Sequence, residues 1–128
     1  MSRYSHRLDN DLNMLSLGYS LSISDDLEWV TVHDFKLPPS YNYSYTDILI
    51  ELPADYPLSP PGVGSHIYTD PDLRFRGRKL EDLHENVNPG WGNWAWLCYE
   101  WINWDPNTDD LVKFMEMVRS DLTKLKTK

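Results

Sequence analysis

The chain has 128 residues, one cysteine and a formal net charge of −8 at pH 7. That length suits one domain over 1–128, able to bury most of its apolar surface without cross-links, and one cysteine cannot close an internal disulfide. The negative balance argues against nucleic acid as a partner, because binding phosphates needs a positive surface, and no segment approaches the roughly 20 apolar residues of a membrane helix. No apolar run follows Met1-Ser2-Arg3, so a signal peptide is not expected and the chain reads as cytosolic.

Leu8, Leu12 and Leu15 recur at helical spacing between Ser5 and Leu15, with Arg3, Arg7, Asp9 and Asp11 off that stripe and Gly18 as a stop. A short amphipathic helix is expected there, docked on the rest of the fold. Tyr19–Ile23 alternates apolar and polar residues, and Trp29–Phe35 is β-branched and aromatic, so both read as strands joined by a turn at Asp25-Asp26. Pro38-Pro39-Ser40 breaks the pattern. Tyr41, Tyr43 and Tyr45 then alternate with small polar residues and lead into Ile48–Leu52; a third strand with a long hairpin edge ahead of it is expected. Three consecutive strands with short connections make an antiparallel meander.

Pro53, Pro57, Pro60 and Pro61 fall within nine residues, too many missing donors for a central strand. Tyr56, Leu58 and Val63 in the same run argue for an ordered connection packed on the domain rather than a solvated linker. Ser65–Tyr68 reads as a fourth short strand. Asp70–Glu85 is polar and charged, with Gly77 as a turn point and a basic cluster at Arg74, Arg76, Arg78 and Lys79.

Trp91–Pro106 holds five of the six tryptophans and the single cysteine, Cys98. Tryptophan density marks a packed shelf rather than a mobile loop, and its irregular pattern assigns it neither to helix nor to strand. Cys98 on that shelf is either a small buried hydrophobe or a reactive thiol. Beyond it, Asn107 or Thr108 caps a helix whose stripe is Leu111, Phe114, Met115, Val118, Leu122 and Leu125. Asp109 and Asp110 occupy its first turn and Lys124, Lys126 and Lys128 its end, matching the helix dipole. The predicted fold class is therefore α+β: an antiparallel meander of about four strands backed by an N-terminal and a C-terminal helix.

No metal set and no glycine-rich phosphate loop stands out, and no cofactor is expected: the four histidines are scattered, the cysteine lacks a short-range partner, and the glycines lie apart. A cysteine–histidine hydrolase would need His84 or His66 to fold onto Cys98.

Two motifs, in order, carry a resemblance to a known family. Leu52–Val63, with Tyr56-Pro57 and Pro60-Pro61, resembles the strand-end signature of ubiquitin-conjugating enzymes. Leu97-Cys98 followed by Trp104-Asp105-Pro106 and a helix resembles that family's cysteine, tryptophan–x–proline and crossover helix. The likeness runs over nearly the whole chain and is closest to the compact bacterial members of the superfamily. It implies the family fold without its two further C-terminal helices. It also implies transthioesterification: Cys98 would take the C-terminal acyl group of a ubiquitin-like protein from an activating enzyme and pass it to an amine. The position eight residues before Cys98, where the family places the asparagine of its histidine–proline–asparagine motif, is Gly90. Asn88 and Asn93 are therefore the candidates for stabilising the oxyanion, and Asp105 for orienting or deprotonating the amine. The implied partners are a ubiquitin-like protein and an activating enzyme, with a ligase or a deconjugating protease as further candidates. Arg3 and Arg7 on the first helix are the candidate docking residues, and the Arg74–Arg76–Arg78–Lys79 cluster competes with them. Two other readings of the aromatic shelf are a non-catalytic binding adaptor of the same fold and a tryptophan-lined carbohydrate module.

Overall fold

Leucine spacing builds the first element of the computed structural model, which describes residues 6–62, 66–81, 83–84, 94–98 and 103–124. Helix α1 runs His6–Ser16 and buries Leu8, Leu12 and Leu15 as expected. Asp11 departs from the expectation. Three residues after Leu8, it lies on the same helical face, and it is only 3% exposed. Its backbone position outweighs its polarity because a partner, described below, awaits it.

Strands β1 (Ser20–Ile23), β2 (Trp29–Lys36), β3 (Tyr45–Glu51) and β4 (His66–Thr69) pair antiparallel in sequence order, which is the predicted meander. The long hairpin edge expected ahead of β3 does not form. Tyr41 instead bridges Phe75, packs its ring 5.0 Å from that ring, and donates its hydroxyl to Leu122 O at 2.7 Å.

The sheet also carries more than the four expected strands. Ala95–Cys98, within the stretch too irregular to assign, forms β8 beside β4, and β7 (Leu83–His84) pairs with β8, so the order is β1-β2-β3-β4-β8-β7. The polar stretch after Asp70 holds a second, two-stranded sheet, β5 (Arg74–Phe75) with β6 (Arg78–Lys79). Its loop, Arg76-Gly77, has φ of 52° and 77°. A two-residue hairpin loop of this hand needs positive φ at both positions, and glycine meets that need without strain. Leu73, Leu80 and Leu83 anchor the stretch in the core, so its charge is confined to the outward side chains.

Helix α2 (Leu111–Leu122) buries Leu111, Phe114, Met115, Val118 and Leu122 of the predicted stripe, and Leu125 lies outside the described residues. Its cap is neither Asn107 nor Thr108. Asp110 has extended backbone and accepts from Lys113 N at 2.8 Å, the geometry of an N-cap carboxylate. Lys126 and Lys128, expected at the helix end, lie outside the described residues, and Arg119 is the basic residue of the last turn.

One face of the sheet, carrying Val30, Val32, Phe35, Ile48, Ile50, Ile67, Ala95 and Leu97, packs with both helices into one core cluster. The proline-rich connection belongs to that cluster through Leu52 and Tyr56, and Gly62 N donates to Glu51 O at 2.7 Å. Leu58, read from the sequence as packed, is instead 73% exposed. Tyr56, 4% exposed, is the side chain that seats the segment. Tyr56→Ala should therefore destabilise the fold by about 3–5 kcal/mol, as buried aromatic truncations do. A urea unfolding midpoint unchanged by that substitution would show that the connection is only a linker.

Candidate active site

Because Ala95 and Leu97 point into the core, the pleat turns Trp96 and Cys98 to the opposite face of the sheet. Cys98, the last residue of β8, is partly exposed. His66 is its register partner on β4, and Trp96 is flanked by Tyr68 on β4 and His84 on β7. The two sequence-candidate histidines thus occupy different places: His84 rests its ring 5.6 Å from that of Trp96, while the His66 position is level with the cysteine. Leu49 pairs with Tyr68 and Glu51 with Trp29, so Glu51 stands at the Cys98 end of the sheet. Tyr68 donates its hydroxyl to Glu51 Oε1 at 3.1 Å. Burial, with the Glu51 charge beside it, pushes the Tyr68 phenol up to about 12. This pair was missed in the sequence; its signal was the strand phase, which places residue 51 opposite the core-facing Ile50 and Leu52.

The frame at this end of the sheet joins three distant segments. Tyr56 donates its hydroxyl to Asp11 Oδ2 at 2.5 Å, and Arg7 Nε lies 3.2 Å from the same oxygen. Arg7 also donates to Pro106 O at 2.9 Å and to Asp109 O. Trp104 donates its indole N–H to Pro57 O at 2.7 Å, and its ring lies between those of Tyr56, at 5.8 Å, and Phe114, at 6.4 Å. The Tyr56–Pro57 peptide is cis. The tyrosine–proline and tryptophan–x–proline motifs, read separately in the sequence, are therefore one packed unit.

Arg7 turns its guanidinium onto the loop before α2, with its side chain 32% exposed. Asp105 is exposed; its Oδ1 accepts from Asn107 N at 2.9 Å, and its own N–H donates to Asp109 Oδ2 at 2.7 Å. Asn88, Asn93 and Arg3 lie outside the described residues. The basic cluster falls on the β5–β6 hairpin, which follows β4 at Thr69, opposite Ala95 and so at the end of β8 away from Cys98. Arg76 stacks its guanidinium 5.2 Å over Phe75, and Arg74 donates to Pro71 O and Leu73 O. Arg76 and Arg78 are exposed at the hairpin tip. The structure does not bring this cluster and the thiol together.

A family model described as Prokaryotic E2 family E matches residues 8–125. No curated protein and no solved structure matches the chain. No described helix is long and apolar enough to cross a membrane.

The buried phenols give the fold a pH signature. Tyr41 and Tyr56 are pushed up strongly by burial, the second also by Asp11, and Tyr68 to about 12. A phenol whose pKa is higher folded than unfolded adds stability that is present below the unfolded value, about 10, and lost as pH rises toward the folded one. The melting temperature should hold up to about pH 10 as far as these groups act, then fall toward pH 12. Tyr68→Phe should make that fall shallower; an identical slope in the variant would overturn this account.

Proposed function

The chain belongs to prokaryotic E2 family E, and from that premise we propose that it carries a ubiquitin-like protein as a thioester on Cys98. The observation that carries this reading is the placement of a partly exposed thiol at the end of β8, ahead of the Trp104-Asp105-Pro106 loop and α2. A conjugating cysteine must be reached by two large partners in turn, whereas a structural cysteine is usually buried. The frame of Tyr56, Trp104, Asp11 and Arg7 fixes the Trp104–Pro106 loop that follows the cysteine in sequence.

In the first step the Cys98 thiolate attacks the thioester carbonyl held by an activating enzyme. A carbon–sulfur bond forms on Cys98, and the activating enzyme's cysteine leaves as thiolate. In the second, an acceptor amine adds to the Cys98 thioester, loses a proton, and expels the Cys98 thiolate as the amide forms. The tetrahedral oxyanion needs a fixed donor, a role worth about 3–4 kcal/mol, and the side-chain amides of Asn88 and Asn93 are the candidates. Asp105, with an exposed carboxylate on a backbone whose N–H donates to Asp109 Oδ2 and whose carbonyl accepts from Thr108 N and Asp109 N, suits the orientation or deprotonation of the amine. For partner docking the surface candidates are Arg76 and Arg78, the exposed cations of the hairpin, on a chain that is otherwise acidic.

Incubation with the cognate activating enzyme, ATP and the ubiquitin-like protein should yield a thiol-sensitive adduct. Cys98→Ala should lack it and Cys98→Ser should form a thiol-resistant ester instead. An adduct of equal yield on Cys98→Ala would sink the assignment. Arg76→Glu with Arg78→Glu should slow charging, more so at low salt, because exposed charges act mainly on association. Equal charging rates at low salt would remove the hairpin from the docking surface.

A further inference from the structure

At the other edge of the sheet, three polar side chains form one connected chain. Ser22 Oγ lies 2.6 Å from His33 Nε2, and His33 Nδ1 lies 3.2 Å from Asp47 Oδ2. The register of β2 on β3 explains how they meet. Val32 pairs with Ile48 and Phe35 with Thr46, so His33 and Asp34 together face the single residue Asp47. That is a β-bulge, a device that re-aims side chains. Asp34 takes a left-handed φ of 53°, a conformation uncommon outside glycine. Its N–H donates to Asp47 Oδ1 at 3.0 Å. One carboxylate oxygen is thus pinned to backbone, and the other holds the imidazole.

We propose that Ser22, His33 and Asp47 form a hydrolytic site for small carboxylic esters that carry an anionic group. The arrangement is that of a serine nucleophile, a histidine base bonded through Nε2, and a carboxylate within ion-pair distance of Nδ1, the constellation that recurs on unrelated folds and is recognised by geometry. Ser22 Oγ attacks the ester carbonyl while its proton passes to His33 Nε2. The bond to the leaving alcohol breaks as His33 returns the proton to it. Water, deprotonated by the same imidazole, then cleaves the acyl-serine, releasing the acid and restoring Ser22. Asp47 is a positioning residue that holds the imidazole in the required tautomer.

The donor for the oxyanion follows from β1 being the edge strand. Ser24 N donates to Trp29 O at 3.1 Å, which makes Ser24 and Trp29 a hydrogen-bonded pair. Hydrogen-bonded pairs recur every second residue, so Ser22 also faces β2 and the N–H of Ile23 points off the edge. The residue after the nucleophile therefore offers a backbone donor beside it.

The substrate class comes from the adjoining depression, about 410 Å³, which His33 and Ser20 line together with Lys36, Arg119 and Asp34. Arg119 is held over Phe35 at 4.9 Å and bonds Tyr19 Oη at 3.0 Å. Lys36 and Arg119 on the wall away from Asp47 offer an anionic group on the ester two cationic partners, and the shallow, open shape limits its size. Ser22 and Cys98 lie on strands four places apart in the sheet, about 19 Å at the usual strand spacing, so this site stands independently of the thioester reading.

The test treats full-length Cys98→Ala protein, in which no thiol competes, with a fluorophosphonate probe and maps the adduct by mass spectrometry. The expected result is phosphonylation of Ser22, absent in Ser22→Ala and in His33→Ala. Hydrolysis of the 4-nitrophenyl hemiester of succinic acid should fall at least about tenfold in Asp47→Asn, with partial recovery in Asp47→Glu. The preference for that ester over 4-nitrophenyl acetate should shrink in Lys36→Met. No adduct on Ser22, or one that persists in His33→Ala, overturns the proposal and leaves the trio as a cross-strand polar cluster. Labelling of the parent protein decides the matter even where a variant folds poorly.

Discussion

The Asp11 carboxylate is the constraint on which the rest depends. A carboxylate taken out of water is costly unless its oxygens are matched by donors, and removing one partner of such a group typically costs about 3–5 kcal/mol. Here the donors come from elsewhere in the chain: the Tyr56 hydroxyl from the proline-rich connection and the Arg7 guanidinium from one turn earlier in α1. Arg7 then reaches the carbonyls of Pro106 and Asp109 across about a hundred residues of sequence. α1, the proline connection and the entry to α2 can therefore be satisfied only together. A helix of 11 residues would not persist alone in water, and this triad, with the three leucines, is what docks it.

That constraint explains why the two family motifs belong to one object. The tyrosine of the first supplies the hydroxyl to Asp11 and one wall for Trp104; the tryptophan of the second returns its N–H to Pro57 O, beside that tyrosine. The contacts that join the two motifs use a backbone carbonyl and neutral aromatic rings, while the charged side chains within the motifs, Asp55 and Asp105, stand exposed. The thiol end of the sheet is thereby rigid on its core side. The opposite end is organised differently, by Asn42, whose amide donates to Asp72 O while its carbonyl accepts from Arg74 N and its own backbone N–H reaches Arg74 O. The basic hairpin is fixed by those bonds and not by the frame around the cysteine.

How much of this was legible follows the physics of each element. α1, β1 to β4 and the α2 stripe were readable because their burial is set by local periodicity. β8 was not, because Ala95-Trp96-Leu97-Cys98 alternates a small and a large residue on each face and becomes a strand only with β4 and β7 beside it. Asp11 was assigned outward on polarity alone, although its spacing from Leu8 already placed it on the buried face. Leu58 was read inward for the converse reason: an apolar residue in a proline-rich turn has no periodicity to aim it. The cap of α2 was misplaced because four consecutive residues from Asn107 can all cap a helix, and it is the turn closed between Asp105 and Asp109, occupying the Asp109 carboxylate, that leaves Asp110 as the cap. Of the candidate site, Cys98 and both motifs were visible, while the coupling between them was not, since it depends on contacts 45 to 102 residues apart.

The bulge on β2 shows the core setting the chemistry of the other face. Apolar residues stand at Val30, Val32 and Phe35, a spacing of two and then three. With strict pleating Phe35 would point away from the core, yet it is fully buried, at a gain of about 1.5–3 kcal/mol for a side chain of its size. The chain recovers the phase by inserting one residue, so that His33 and Asp34 both turn outward. The insertion leaves the Asp34 N–H without a ladder acceptor, and a donor in that state costs about 1–3 kcal/mol if buried unpaired. Asp47, facing the two extra outward positions, supplies the acceptor, and in doing so brings its second oxygen to the imidazole. The polar trio on the outer face is thus a consequence of where Phe35 must go, and the three-residue step from Val32 to Phe35 was its signature in the sequence.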